Sequence, residues 1–353
     1  MDSPARPSKH LPVHGAQAES QSPLPYPRGW YLAAFSDELE PGGVKCIPFF
    51  GQDLVVFRGQ DGRVRAVDPY CPHLGTHLGH GGRVVGNALR CPAHGWCFEG
   101  DEGRCTKIPT GDPIPARAAV GVRPVREVSG LVLVWFHEAR EEPTWQIDAL
   151  PEFDAHPWSG WQGDELDLNA PIQTSSENDV DLEHFVRLHS FSDGRPELSS
   201  TFDGPVCRQQ MRFRIRLRNM GVPLPPGWGR VGLPECTDAV VRVERFGLGI
   251  GWMRQDVRYG PFRFSFQSIM TSTPIDRGRV RFRNRHRVQR LPLATSLVRR
   301  AYVALWHNAV EEDVVIWENM RYTTRPVATR TDAPLLRFRK WAQQFYAPGR
   351  AGH

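Results

Sequence analysis

Cys71-Pro-His73-Leu-Gly-Thr-His77-Leu-Gly-His80-Gly-Gly82 and Cys91-Pro-Ala-His94-Gly-Trp96 are the two stretches on which the reading of this 353-residue chain turns. A Cys-x-His pair followed by a Cys-x-x-His pair offers two thiolates to one iron and two imidazoles to the other iron of a [2Fe–2S] centre, which raises its reduction potential. A single zinc ion takes the same four residue types in a tetrahedron. Zinc knuckles usually space both pairs alike and carry no His-Gly-Trp tail, so the unequal pairs of Cys71/His73 and Cys91/His94 favour the iron–sulfur centre. His77 and His80 stand between the pairs, and a surface role is expected for them. Trp30 and Trp96 are read as packing residues that shield the cluster.

The chain is 40% hydrophobic and 24% charged, which is ordinary for a globular protein and argues against a fibre or a disordered chain. Its length allows two domains with separate cores. Seven cysteines make an odd number with no framework spacing, and two are wanted as thiolates, so a reducing cytoplasm is expected. Residues 1–25 are rich in Ser, Pro, His and Gln without the apolar stretch of a signal peptide, and are read as a mobile tail. The longest apolar run, Leu131–Phe136, is far short of the roughly 20 residues that cross a bilayer and reads as a buried strand. No membrane span is expected.

The net charge of +5 is carried mostly by arginine. Arg212, Arg214, Arg216 and Arg218 alternate with Met211, Phe213, Ile215 and Leu217, so one strand face is basic and solvated and the other apolar. The one aromatic residue among them, Phe213, lies on the opposite, apolar face and no basic helix is present, so nucleic acid is not an expected partner. An acidic redox partner fits the charge better.

After the tail, short β-rich segments with Gly and Asp between them describe a small all-β module over 26–138, with both ligand pairs in its loops. A charged connector at Glu138 to Pro143 closes it. Residues 139–353 show a helical stretch at Val180 to Leu188 and strands at Arg208 to Leu217, Ala239 to Phe246, Phe262 to Thr271 and Val280 to Val288. A long helical pattern at Ala294 to Tyr322 and a last amphipathic segment at Leu335 to Tyr346 complete it. The expected class is α+β: an all-β module, then an antiparallel sheet covered by helices. Gly221 to Pro234, with Trp228, reads as a loop or lid. Gly247, Gly249 and Gly251 lack the spacing and the βαβ setting of a dinucleotide loop, so no NAD or flavin domain is evident.

A second cluster of metal-binding residues lies at Asn178-Asp-Val-Asp181-Leu-Glu-His184-Phe-Val-Arg-Leu-His189. His184 and His189 with one carboxylate would form a facial triad that leaves positions on iron open to dioxygen. Five residues on an ideal helix put the two imidazoles about 140° apart, so the helix must widen or end between them. Glu311, Glu312 and Asp313 are the candidate acids. At about 100° per residue, Asp313 falls within roughly 40° of the apolar stripe Tyr302, Trp306, Val310, Trp317 and Met320, while Glu311 and Glu312 point away and are expected in solvent. A carboxylate in that stripe needs a cation, either iron or an arginine. Asp181 shares a face with His184, so its carboxylate can accept a ring N–H, or it can stabilise the start of the helix. Asn178 can cap the same helix or hydrogen-bond a metal-bound water.

With these motifs laid out, the chain resembles the oxygenase component of the Rieske non-haem iron oxygenases along nearly all of its length after the tail. It is most similar to the 3-ketosteroid 9α-hydroxylase and cholesterol 7-desaturase group, through its Tyr-Cys-Pro-His-Leu-Gly and Ile-Trp-Glu-Asn-Met segments. Aminopyrrolnitrin oxygenase, an arylamine N-oxygenase, shares the late Ile-Trp segment in outline. The resemblance implies a helix-grip-like catalytic domain, a [2Fe–2S] cluster and a mononuclear Fe(II). It implies electrons from a ferredoxin or flavin reductase, dioxygen as co-substrate, a small apolar polycyclic substrate and a homotrimer. It also implies transfer from the cluster of one subunit to the iron of the next through Asp181, which would link His94 to His184. Hydroxylation is the expected reaction, with N-oxygenation, desaturation or a non-catalytic electron carrier as the alternatives. Cys97 and the Gly221 to Pro234 insert match nothing in that pattern.

Overall fold

The protein is described by a computed structural model over residues 24–153, 158–189, 192, 194–216, 236–259, 262–291 and 294–347. Nearly all of the N-terminal tail and the whole of Gly221 to Pro234 lie outside these residues, as do Leu217 and Arg218.

The first part is built from β1 (Gly29–Phe35), β2 (Val44–Phe49), β3 (Gln52–Arg58), β4 (Val64–Val67), β5 (Arg83–Val85), β6 (Ala88–Arg90), β7 (Cys97–Glu99), β8 (Cys105–Lys107), β9 (Val122–Arg123), β10 (Val125–Val128) and β11 (Leu131–Phe136). They form three small sheets, ordered β1-β11-β10, β2-β3-β4-β9 and β5-β6-β7-β8. The apolar run of β11 is buried at every position and pairs antiparallel with the equally buried β1. The four-stranded β5–β8 sheet carries the two ligand loops, one entering β5 and the other leaving β6.

The second part opens with β12 (Gln162–Leu168), α1 (Ile172–Ser176), a 3-10 turn (Glu177–Val180) and α2 (Leu182–Arg187). There follow β13 (Glu197–Asp203), β14 (Val206–Arg216), β15 (Cys236–Phe246), β16 (Ile250–Tyr259), β17 (Phe262–Pro274), β18 (Val280–Val288), α3 (Thr295–Trp317) and α4 (Ala333–Ala342). The strands make one antiparallel sheet in the order β12-β18-β17-β16-β15-β14-β13. Alternation sorts its faces as expected: Met211, Phe213 and Ile215 are buried while Arg212 and Arg214 are exposed. One face packs on α3 through Val241, Val243, Met253 and Tyr302, and the other on β1 and β11 through Ile250, Trp252 and Ile269.

Three strands were not among those expected. β12 is acidic, and its Glu165 and Asp167 pair with Arg283 and Arg281 of β18 at 2.9 and 2.7 Å, so cross-strand ion pairs replace the apolar pattern a strand normally shows. β13 is a polar edge strand, and β16 carries Arg254, Asp256 and Arg258 among its apolar residues. The long helix is also shorter than the pattern suggested. It stops at Trp317, which takes Met320 out of the stripe and leaves it 46% exposed.

The two parts share one core. Tyr31, Phe49 and Phe50 pack in the same cluster as Leu168, Trp317, Phe338 and Trp341. Backbone bonds cross the boundary too, from Phe50 N to Pro274 O at 2.9 Å and from Arg28 N to Phe345 O at 2.7 Å. Among the described residues, no helix is long and apolar enough to cross a membrane.

Candidate metal centres

The first centre is formed by two loops of matching design. In each, the amide of a glycine four residues after the cysteine returns to its carbonyl: Gly75 N to Cys71 O at 3.0 Å, and Gly95 N to Cys91 O at 3.1 Å. The turn requires positive φ, and Gly75 and Gly95 adopt 75° and 72°. Cys71 and Cys91 are each 2% exposed, whereas His73 and His94 lie at the surface. The imidazoles meet at 4.7 Å between ring centroids, and Trp96 stacks on His73 at 4.6 Å. Burial pushes the Cys71 thiol up to about 11, with the neighbouring Cys91 adding to the shift, so Cys71 becomes a thiolate when a cation replaces its proton. A two-iron cluster takes two thiolates on one iron and two imidazoles on the other. Two inner sulfurs and two outer imidazoles suit such a cluster.

His77 is not the surface residue expected. It is half-buried, with Cys46 and His80 close by. Its Nδ1 accepts the Gly79 N–H at 3.1 Å and its Nε2 lies 3.2 Å from Asp53 Oδ2. The proton therefore sits on Nε2 and faces the carboxylate, so this is a hydrogen-bonded set rather than a free ligand lone pair.

The second centre lies where the 172–189 segment meets α3. The helical stretch is broken into α1, the 3-10 turn and α2, and the i,i+5 problem is solved at its end. Leu188 N and His189 N both bond His184 O, at 2.8 and 3.3 Å, so the last turn widens as the helix stops. The ligand atoms of His184, His189 and Asp313 all lie within 4.8 Å of one another. His189 and Asp313 are 6% and 5% exposed.

The hydrogen bonds fix which nitrogen of each ring carries the proton. His184 Nδ1 lies 2.6 Å from the Asp181 carbonyl, so it carries the proton, and its buried Nε2 has no hydrogen-bond partner among the described residues. His189 Nδ1 is 2.7 Å from Glu312 Oε2, so its Nε2 lone pair faces Asp313 Oδ1 at 3.1 Å. A lone pair turned on a buried carboxylate repels it unless a cation sits between them. That donor set fits a divalent iron. Burial lowers the pKa of His184. Burial acts the same way on His189, but the Asp313 and Glu312 carboxylates outweigh it and raise the value.

One expectation needs correcting here, and two open alternatives meet the geometry. Glu312 is not simply solvated: half exposed, it grips His189, because the ring approaches α3 from its flank and meets consecutive residues with its two nitrogens. The Asp181 carboxylate does not hold the His184 ring. Its Oδ1 caps α2 by accepting from Glu183 N and His184 N, and its Oδ2 is 3.9 Å from Nδ1, while the carbonyl makes the ring contact. Asn178 caps no helix either, since its Nδ2 donates to Asp313 Oδ2 at 3.2 Å and so orients that carboxylate. Among the described residues no arginine is seen on Asp313; Arg245 instead takes Asp179, with Nε 2.8 Å from Oδ2, and Arg339 takes Glu177 at 2.8 Å. These pairs pin the turn that carries Asn178 and Asp181.

The centre opens into a cavity between α3 and the sheet, holding about 1240 Å³ of empty space with its mouth included. His189, Asp313 and Asn178 stand in its wall, which is otherwise mainly apolar, with Phe185, Phe213 and Met253 among its residues.

Comparisons with known proteins agree with both halves of this description. Residues 29–120 match the Rieske [2Fe-2S] domain, and residues 134–346 match the 3-ketosteroid 9alpha-hydroxylase C-terminal domain. The chain is 31% identical over 365 residues to a cholesterol 7-desaturase of Bombyx mori, covering 98% of this chain and 76% of that protein. It is 28% identical over 334 residues to a probable 3-ketosteroid-9-alpha-monooxygenase oxygenase component of Rhodococcus rhodochrous, covering 92% and 81%. Among solved structures, dicamba monooxygenase bound to dicamba superposes with a TM-score of 0.70 at 19% identity, over 90% of this chain and 96% of that one. At that identity the likeness concerns the fold alone.

Proposed function

Since the chain belongs to the Rieske oxygenases that carry a 3-ketosteroid 9α-hydroxylase C-terminal domain, we propose that it hydroxylates an apolar, polycyclic, steroid-like substrate with dioxygen and reductase-supplied electrons. In this reading Cys71, His73, Cys91 and His94 hold the [2Fe–2S] cluster, and His184, His189 and Asp313 hold the mononuclear iron. The domains are 26–138 and 139–353 behind a tail over 1–25, and the protein works in the cytoplasm as a trimer. The observation that carries it is the mainly apolar cavity whose wall holds His189 and Asp313, two members of a two-histidine, one-carboxylate set.

When bound, the cluster supplies single electrons and the iron supplies a site for dioxygen activation. The side chains of this chain do the rest. The Asp181 carbonyl and Glu312 hold the Nδ1–H of His184 and His189, which aims both Nε2 atoms at one point. Asn178 fixes Asp313 so that one oxygen faces the same point. The apolar wall excludes water from the attacked carbon and holds it by shape. The Asp181 carboxylate is half exposed, which suits a bridge to His94 of a neighbouring subunit.

Desaturation is the second reading, because relatives along nearly the whole chain are named cholesterol 7-desaturases. The experiment is turnover of a steroid and arylamine panel under labelled dioxygen, with a surrogate reductase. A steroid product carrying one labelled oxygen supports the proposal. A new double bond without label supports the second reading, and oxidation of arylamines alone overturns both.

A further inference from the structure

Several polar side chains in the cavity wall already have protein partners. Ser175 Oγ donates to Ile172 O at 3.1 Å, Asn178 to Asp313, and Arg245 to Asp179. Asn284 of β18 differs. It lines the cavity and is 6% exposed.

The sheet is interrupted to hold this amide. β17 and β18 pair as far as Ile269 with Arg285 and again from Ser272 with Phe282, but not in between. In that gap Thr271 N donates to Asn284 Oδ1 at 3.3 Å, while Thr271 Oγ1 donates to Arg283 O at 2.5 Å. The Thr271 N–H, which a regular ladder would give to the opposed Arg283 carbonyl, fixes the side chain instead. Only the oxygen of an amide accepts an N–H, so this bond settles which end is which: Oδ1 lies on β17, and Nδ2 is the end left over. Nδ2 makes no hydrogen bond among the described residues, yet it is not one of the side-chain atoms sealed in the core without a partner. Its two protons are therefore presented to the cavity that Asn284 lines. The place along the cavity follows from the neighbours on β18. Phe282 meets Trp317 at 6.1 Å between ring centroids, and His286 meets Trp306 at 5.2 Å. Side chains alternate along a strand, so Asn284 shares their face and stands between them. It thus faces the stretch of α3 between Trp306 and Trp317, which carries Asp313.

We propose that Asn284 is a specificity-determining residue whose Nδ2–H donates to an oxygen of the substrate at the metal end of the cavity. A carbonyl oxygen accepts that bond, whereas a hydrocarbon of the same shape strips the donor of water and leaves it unpaired. The inference rests on the reading of this cavity as the substrate site. It adds that the otherwise apolar substrate bears an acceptor oxygen on the part held nearest Asp313.

The test is equilibrium binding by calorimetry to the purified full chain, with two matched pairs of probes. One pair is a 3-ketosteroid with no other oxygen and its analogue with an exocyclic methylene in place of the carbonyl oxygen, and the other is a tricyclic ketone and its methylene analogue. In a pair that binds, the ketone is expected to bind about tenfold more tightly, the worth of one hydrogen bond. Asn284→Leu, which is close in shape, should bring the two affinities together. The infrared carbonyl stretch of the isotope-labelled ketone bound to the wild type keeps the test decisive if that variant folds poorly, because donation from Nδ2 lowers the stretch below its position in an apolar solvent. An amide with a purely structural role would produce neither effect. Equal affinities in the wild type, an unshifted stretch, or a preference that survives in Asn284→Leu overturns the assignment. Ketone preference in the tricyclic pair with no steroid binding keeps the assignment and refutes the steroid reading, whereas steroids bound without preference do the reverse. Failure of both pairs to bind overturns both.

Discussion

Glu312→Ala separates a residue that holds a ligand from the ligand itself. The carboxylate lies 2.7 Å from His189 Nδ1, and its side chain is 53% exposed. A hydrogen bond to a charged group contributes about 1.5–3 kcal/mol, and solvent screening at a half-exposed site favours the lower end. About 1.5 kcal/mol corresponds to roughly tenfold in iron affinity, at the low end of the effect usual for partners behind a metal ligand. The assay is anaerobic titration of the iron-depleted second site with Fe(II) against a competing chelator, with the visible spectrum of the cluster as internal control. Glu312→Ala should bind roughly tenfold more weakly and Glu312→Gln, which keeps an acceptor oxygen, should fall between. Asp313→Ala should bind no iron there while keeping the cluster spectrum. Wild-type affinity in Glu312→Ala would refute the reasoning about His189, and retention of the iron in Asp313→Ala would show that another acid is the ligand.

Arg245→Met strands the Asp179 carboxylate in a largely buried setting and should cost about 3 kcal/mol in denaturant unfolding; adding Asp179→Asn should recover most of that loss, and a double variant no more stable than the single would contradict the pairing. Iron uptake at the second site should weaken on acidification from above pH 6.5, since the raised pKa of His189 keeps a competing proton on the ring to higher pH than usual. Glu312→Gln removes one of the raising charges and should move that midpoint down, as potentiometric or spectroscopic titration would reveal. Asp181→Asn keeps a good helix cap but loses the charge. It should therefore retain both metals, yet its reduced cluster should not be reoxidised when substrate and dioxygen are added; normal single-turnover rates would remove Asp181 from the electron path.

How far this could be read in advance depended on the range of the interactions concerned. The two matching loops at Cys71/His73 and Cys91/His94 were legible because their spacing is local. The burial of Asp313 was legible because one helix carries both the acid and the apolar face that buries it. Glu312 was not: its partner His189 is 123 residues away, and a helical wheel drawn on α3 is blind to a ring arriving from the side. The roles of Asp181 and Asn178 depended on backbone angles at the break between the 3-10 turn and α2, where Asp181 leaves helical geometry with ψ of 102°. β12 was hidden by its acidic residues, whose partners lie on β18.

The most direct test of the two-centre account is the iron and acid-labile sulfide content of protein purified anaerobically, wild type beside Cys71→Ala. The expected result is about three irons and two sulfides per wild-type chain, with the sulfide and the colour lost in Cys71→Ala. One zinc and no sulfide in the wild type would contradict the cluster. Two irons and two sulfides, with no third iron taken up on titration, would contradict the centre at His184, His189 and Asp313.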